Sequence, residues 1–147
     1  MSKKINVRGV KEIDDPCYRY KMEAVSVVVQ KTKCVISNLG VVGADLERDP
    51  LMLVEYLKKK LGVAMKYNGD EDRIEVKSIE RESVQDAIFE FVEYFVLCSG
   101  CRNPETVLSV SKGDIYLSCK ACGKSEKIKM NNKVVKKSYD GMIKLIG

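Results

Sequence analysis

In the first two thirds of the chain, the spacing of apolar residues changes several times between the patterns typical of strands and of helices. The sequence therefore predicts strands that alternate with helices. A valine-rich run at 24–30 predicts a strand, and residues 34–37 predict its hairpin partner. Residues 41–46 fit a short helix that follows Asn38. After Asp49-Pro50, leucine and valine recur at near-helical spacing up to Leu61, and the following glycine is a natural helix end.

A second hairpin and a long helix follow. Residues 63–67 and 73–76 predict two strands, and the Asn-Gly pair at the start of 68–72 predicts the turn between them. Ser83 is expected to cap a helix whose apolar face runs from Val84 to Phe95. These elements predict a small α/β domain with two β-hairpins and packed helices.

The last third of the chain predicts a different kind of module. Short apolar runs at 107–110 and 115–117 flank Lys112-Gly113-Asp114, which predicts one further hairpin. The whole chain is therefore expected to be α+β. The predicted parts are an N-terminal arm (1–22), the α/β domain (23–96), a zinc ribbon (97–130) and a basic tail, linker or short helix (131–147).

Two Cys-x-x-Cys pairs bracket this last hairpin. Cys98 and Cys101 are followed 17 residues later by Cys119 and Cys122, and this spacing is typical of a zinc site. Four thiolates would fill all four coordination positions of a tetrahedral Zn²⁺ ion. We therefore expect a structural site with no coordination position left open. The alternatives are two disulfides or a redox Cys-x-x-Cys. Cys17 and Cys34 stand outside this pattern and are expected to be small apolar residues.

Composition narrows the chemistry that is possible. The chain contains no histidine, which excludes histidine-ligated catalytic zinc and the Ser-His and Cys-His nucleophile systems. It also contains no Walker-type phosphate loop. No apolar run is long enough to span a bilayer, and no secretory signal or presequence is evident in the sequence. We therefore expect a cytoplasmic protein that contacts no membrane and is not an enzyme in its own right.

Charge is distributed unevenly. Residues 1–97 hold 16 basic and 17 acidic side chains, whereas residues 98–147 hold 10 basic and 4 acidic ones. The positive excess thus lies in the predicted ribbon and tail. A lysine-rich module of this kind favours an acidic partner or a nucleic-acid backbone, and ordinary solubility is the alternative explanation.

Two motifs resemble one known family. Residues 15–22 (DPCYRYKM) are similar to the D-P-F-Y-R-Y-K-M segment of eukaryotic translation initiation factor 5, and residues 95–106 and 119–123 resemble that family's zinc ribbon. The resemblance extends from about residue 5 to residue 130. The beta subunit of initiation factor 2 is a sister family that shares the fold.

This resemblance implies a role in start-codon recognition. Factor 5 stimulates GTP hydrolysis by initiation factor 2 in the preinitiation complex, and its arginine finger corresponds to Arg19. The resemblance also assigns Lys33 a supporting role and a contact with RNA, and it places Arg73 near the initiator tRNA. The implied partners are the gamma and beta subunits of initiation factor 2 with GTP and initiator tRNA, the small ribosomal subunit and other initiation factors.

The sequence departs from the family pattern in four ways. The first hairpin is shorter and lacks the glycine-rich tip, Glu55 replaces a lysine, and Cys17 replaces a phenylalanine. The family's C-terminal HEAT-repeat domain is not in the printed sequence, which is either an N-terminal part or a reduced factor. Two other functions stay open: the beta subunit of initiation factor 2, and a ribosome-bound zinc-ribbon RNA-binding module without GTPase activation.

Overall fold

The structure is a computed structural model, and it describes residues 4–6, 21–30, 33–68, 73–98, 100, 104–128 and 132–146. These residues form nine strands and four helices. In chain order they are β1 (Lys4–Asn6), β2 (Lys21–Glu23), β3 (Val27–Gln30), β4 (Lys33–Ile36), α1 (Leu39–Asp45), α2 (Pro50–Leu61), β5 (Lys66–Asn68), β6 (Arg73–Val76), α3 (Arg81–Phe95), β7 (Thr106–Ser111), β8 (Asp114–Cys119), β9 (Ser125–Lys127) and α4 (Lys133–Ile146).

The strands form three antiparallel sheets. β1 pairs with β2, four strands form a sheet in the order β3-β4-β6-β5, and three strands form the last sheet in the order β7-β8-β9. The two predicted hairpins of the first part join through β4 and β6, where Cys34 lies opposite Val76. The predicted α+β class is therefore confirmed, including the hairpin between the two cysteine pairs.

Three aromatic rings lie at the centre of the core. Phe91 and Phe95 of α3 stack with their ring centroids 5.2 Å apart. The Tyr56 ring of α2 meets both rings edge-on at 5.8 and 6.0 Å, and all three side chains are fully buried. Such aromatic pairs contribute about 0.5–1.5 kcal/mol each beyond the area that they bury. Helices α2 and α3 are thus fixed against each other.

Both ends of α2 follow the sequence prediction. The Asp49 carboxylate accepts a hydrogen bond from the Leu51 amide at 2.9 Å, and Pro50 occupies the first helical position. Gly62 ends the helix in the left-handed conformation with φ 66°.

The predicted start of α3 at Ser83 is wrong. The helix begins at Arg81, and the residue before it, Glu80, makes no side-chain capping bond. The Val84 amide already donates to the Glu80 carbonyl at 3.2 Å, so Ser83 lies inside the first turn. Arg81 instead donates through Nε to the Val25 carbonyl at 3.1 Å. A tertiary contact therefore fixes the first turn of this helix.

The stretch predicted as a tail, linker or short helix carries the 14-residue helix α4. Asn132 caps its start, since its Oδ1 accepts hydrogen bonds from the amides of Val134 at 2.8 Å and Val135 at 3.3 Å. Val135 and Met142 are fully buried. The Tyr139 hydroxyl accepts a hydrogen bond from the Ile115 amide of β8 at 2.7 Å. Helix α4 therefore packs against the ribbon sheet.

One hydrophobic cluster crosses the predicted boundaries between α/β domain, ribbon and tail. It includes Phe95 of α3, Ile115 and Leu117 of β8, and Val135 and Met142 of α4. Of the helices that the structure describes, none combines the length and the apolar character needed to cross a bilayer.

Candidate functional site

Three cysteines meet at the end of the ribbon sheet. Cys98 follows α3, Cys119 is the last residue of β8, and Cys122 lies in the turn before β9. Their sulfur atoms all lie within 4.8 Å of one another, and the sulfurs of Cys98 and Cys122 are 3.6 Å apart. The fourth predicted ligand, Cys101, lies outside the described residues.

This geometry matches the dimensions of a tetrahedral thiolate site. Four sulfurs at about 2.3 Å from a zinc ion would lie roughly 3.8 Å from one another. Among the described residues, Cys98, Cys119 and Cys122 form no disulfide. Two backbone amides point at sulfur: Gly100 donates to Cys98 Sγ and Cys122 donates to Cys119 Sγ, each at 3.4 Å. Such donors offset thiolate charge, so the cluster could hold a metal ion.

The predicted arginine finger, Arg19, and the neighbouring Cys17 lie outside the described residues. In β2, Met22 lies opposite Ile5 of β1 and is fully buried. Arg19 precedes Met22 by three residues in the sequence.

Lys33 and Arg73, predicted separately, converge on one carboxylate. Lys33 Nζ lies 2.5 Å and Arg73 Nη2 lies 3.4 Å from Oε1 of Glu75. The hydrogen bond and charge of Lys33 hold the pKa of Glu75 below its usual value, and Arg73 adds to this effect. The β4–β6 register causes the convergence, because it places Glu75 opposite Val35 of the strand that begins at Lys33. A phosphate group that bound Lys33 or Arg73 would compete with the Glu75 carboxylate for that cation.

Arg48 joins the α/β domain to the ribbon, and no pattern in the sequence indicated this role. The residue is only 8% exposed. Its Nε and Nη2 donate to the Phe95 carbonyl at the end of α3 at 3.1 and 2.9 Å. Its Nη1 donates to the Thr106 carbonyl at 3.0 Å, and its Nη2 donates to the Thr106 hydroxyl at 2.7 Å. Burial lowers the pKa of Arg48 to about 10.

Glu90 of α3 forms a second junction that the sequence did not reveal. Its Oε1 accepts hydrogen bonds from the Tyr56 hydroxyl at 2.5 Å and from Asn132 Nδ2 at 3.1 Å. Its Oε2 lies 2.9 Å from Lys60 Nζ. Burial and the bond to Glu90 raise the pKa of Tyr56. One carboxylate therefore connects α2, α3 and the cap of α4.

The family model for the domain found in initiation factors 2B and 5 matches residues 10–125. The chain therefore belongs to this family of translation initiation factor domains, and the predicted resemblance is confirmed.

Similar proteins come from both branches of the family. The chain is 37% identical to eukaryotic translation initiation factor 5 of Caenorhabditis elegans over 127 residues, covering 83% of this chain and 29% of the relative. It is 33% identical to the same factor of Saccharomyces cerevisiae over 126 residues, covering 82% and 31%. It is also 31% identical to translation initiation factor 2 subunit beta of Methanosphaera stadtmanae over 105 residues, covering 71% and 73%. The chain thus spans about a third of the factor 5 relatives and most of the beta subunit.

Proposed function

We propose that this chain is a GTPase activator of the factor 5 type, which acts on initiation factor 2 in the ribosomal preinitiation complex. The observation that carries the proposal is the match to relatives named factor 5, at 33–37% identity over more than four fifths of the chain. A further support is the segment DPCYRYKM at 15–22, which resembles the segment that carries the finger in that family.

Arg19 is the proposed finger. A guanidinium keeps its charge at any physiological pH and can donate to two phosphate oxygens at once. An arginine supplied in trans accelerates GTP hydrolysis by about 10³–10⁵ in known GTPases, because it stabilises charge that develops in the transition state. The chain itself then needs no nucleotide site, which agrees with the lack of histidine and of a Walker-type loop.

The position of Arg19 in the sequence limits where the partner GTPase would dock. Met22 is fully buried, and β2 begins at Lys21. Arg19 precedes Met22 by three residues in the sequence. Any partner GTPase that receives Arg19 therefore docks close to the β1–β2 pair.

We assign zinc to Cys98, Cys101, Cys119 and Cys122 as a structural ion. All four ligands would be thiolates, so no position would remain for water or substrate. When bound, the ion would hold the two cysteine pairs together and supply much of the ribbon's folding energy.

Lys33 and Arg73 are proposed to contact RNA of the initiation complex, including initiator tRNA, with Lys33 also supporting the finger. They present one cation from β4 and one from β6, on either side of the exposed Glu75. The proposed partners are initiation factor 2 with its gamma and beta subunits, GTP and initiator tRNA, the small ribosomal subunit and other initiation factors. The proposed location is the cytoplasm.

The test is single-turnover GTP hydrolysis by initiation factor 2 bound to initiator tRNA on small ribosomal subunits. We expect wild type to stimulate hydrolysis, Arg19→Ala to lose nearly all of the stimulation, and Arg19→Lys to recover little of it, because lysine lacks the planar fork. Arg8→Ala, in the same predicted arm, is the matched control and should stimulate normally. Normal stimulation by Arg19→Ala would refute the finger assignment.

One comparison favours a second candidate function, the beta subunit of initiation factor 2. The beta-subunit relative is matched over 73% of its length, whereas the factor 5 relative of Caenorhabditis elegans is matched over 29% of its length. A beta subunit would co-purify with the gamma subunit at equal stoichiometry and would not stimulate hydrolysis. Size-exclusion chromatography with purified gamma subunit, combined with the hydrolysis assay, separates the two functions.

A further inference from the structure

Helices α2 and α4 lie side by side and run in opposite directions. Gly141 of α4 lies against Glu55 of α2, because a Cβ at position 141 would be 2.7 Å from the Glu55 carboxylate carbon. At the other end, Asn132 and Lys60 share the carboxylate of Glu90. Residue numbers thus rise along α2 as they fall along α4, and the two helices form one continuous surface.

The solvent side of α4 next to this contact is lined by lysine. Lys137 and Lys144 lie one turn before and one turn after Gly141, so they project from the same side of the helix. Lys133 lies one turn before Lys137, and all three side chains are exposed. At 1.5 Å per residue, this row is about 16 Å long.

Two lysines of α2 contact Glu55, which lies against Gly141 beside the middle of this row. Lys58 Nζ lies 3.7 Å and Lys59 Nζ lies 3.9 Å from the carboxylate oxygens of Glu55, the residue that Gly141 covers. We call Lys58, Lys59, Lys133, Lys137 and Lys144 the α2–α4 lysine face.

Charge on this face is strongly one-sided. Five lysines stand against Glu55 and the exposed Asp140. Within the part of the chain that the structure describes, no ion pair involves Lys133, Lys137 or Lys144. By contrast, Lys33 and Arg73 share Glu75, and Lys60 is paired with Glu90. The α2–α4 lysine face is therefore a concentration of cations that lies apart from the predicted RNA-contacting pair.

We infer that the α2–α4 lysine face binds the phosphate backbone of RNA. Lysine is a point charge that suits phosphate, and it is depleted in the centres of protein–protein interfaces. Such interfaces use aromatic or apolar anchors, whereas Leu51 is the one exposed large apolar side chain among the described residues of α2 and α4. A row of lysines without aromatic partners binds phosphates regardless of base sequence.

This inference does not depend on the proposed GTPase activation, since it concerns a different surface. Its test needs only the purified chain and RNA. The probe is fluorescently labelled oligouridine, and binding is followed by anisotropy as a function of salt concentration.

The test variant replaces Lys133, Lys137 and Lys144 with glutamine, which keeps the helix propensity. Three lost phosphate contacts should lower the slope of log K against log salt by about 2 for single-stranded RNA, and weaken binding roughly tenfold to a hundredfold near 0.1 M salt. The matched control replaces the exposed Lys77, Lys112 and Lys120 with glutamine, which removes the same charge from positions outside α2 and α4. It should change affinity by less than about threefold, because salt screens distant charges.

A second variant should act in the opposite direction. Glu55→Gln keeps the side-chain shape beneath Gly141 but releases Lys58 and Lys59 from their carboxylate. We expect oligouridine to bind about twofold to threefold more tightly, in line with the strength of exposed ion pairs. A loss of folding could not produce tighter binding, so this result separates a charge effect from misfolding.

Three outcomes would overturn the inference: equal weakening by the test and control variants, no change in the salt slope of the test variant, or weaker binding by Glu55→Gln. A polyglutamate peptide of matched charge is the competitor that separates partner classes. If it bound more tightly than oligouridine and depended on the same three lysines, the face would belong to an acidic protein and the assignment to RNA would fail.

Discussion

Replacing Arg48 by methionine tests whether the contact between α/β domain and ribbon rests on one guanidinium. Methionine fills a similar volume but donates no hydrogen bond. Arg48 makes five hydrogen bonds: two to the Phe95 carbonyl, one to the Thr106 carbonyl, one to the Thr106 hydroxyl and one to the Glu47 carbonyl. The Phe95 carbonyl belongs to the last turn of α3, where carbonyl groups lack partners within the helix and favour a cation.

The expected magnitude follows from two opposing effects. A buried acceptor that loses its donor costs about 1–3 kcal/mol, and here the carbonyls of Phe95 and Thr106 both lose guanidinium bonds. Removing the cation also relieves the desolvation that lowers the pKa of Arg48 to about 10, and this relief offsets part of the cost. Two buried acceptors that each cost about 1–3 kcal/mol, reduced by this offset, lead us to expect that Arg48→Met lowers the free energy of unfolding by about 2–4 kcal/mol.

The assay is urea unfolding followed by circular dichroism, with the free energy taken by linear extrapolation. Arg48→Lys should fall between wild type and Arg48→Met, since it keeps the charge without the fork. Thr106→Val removes the hydroxyl that accepts from Arg48 and donates to the Val96 carbonyl at 2.5 Å. A double-mutant cycle of Thr106→Val and Arg48→Met should show an interaction energy of at least about 0.5 kcal/mol. Unchanged or increased stability of Arg48→Met, as occurs for some buried ionic groups, would refute the reasoning.

Two further predictions concern the metal cluster and Glu90. Cys119→Ser should abolish stoichiometric zinc in the purified protein, whereas Cys34→Ser, at a buried thiol outside the cluster, should leave the zinc content unchanged. Metal analysis of the purified variants measures this, and a full equivalent of zinc in Cys119→Ser would contradict the site. Burial raises the pKa of Glu90, but hydrogen bonds from Tyr56, Lys60 and Asn132 outweigh burial and hold the pKa below its ordinary value. A lowered carboxyl pKa contributes stability that is present above the unfolded-state value and lost as the pH falls through the folded-state value. The difference in free energy of unfolding between wild type and Glu90→Gln should therefore shrink on acidification below pH 4.5. A difference that does not depend on pH would count against the role of the carboxylate.

The sequence was most informative where a local rule acts within a few residues. The span of α2 was predicted because Asp49 and Gly62 satisfy the helix ends from neighbouring positions. The hairpin of β7 and β8 was predicted because Lys112 and Gly113 take up the positive φ values that its tight turn needs. The cysteine spacing predicted the cluster for the same reason, since each pair closes on itself through one turn.

Prediction from sequence failed where a distant residue decides the outcome. Ser83 has the side chain of a helix cap, yet α3 begins at Arg81, which is held by a carbonyl 56 residues earlier in the chain. The prediction of a basic tail, linker or short helix for α4 gave too little weight to its apolar positions, which make up half of the helix and recur at helical spacing. They are buried only when α2 and β8 are in place beside them.

Local spacing along the chain was enough to establish the class of fold, the two cysteine pairs and the family. The folded chain was needed to show that Arg48 joins α3 to the ribbon and that Lys33 and Arg73 share Glu75. It was also needed to show that lysines from α2 and α4 form one surface. Charge and hydrogen bonding depend on distance in space, and no local pattern encodes which carbonyl or carboxylate a side chain from another element will meet.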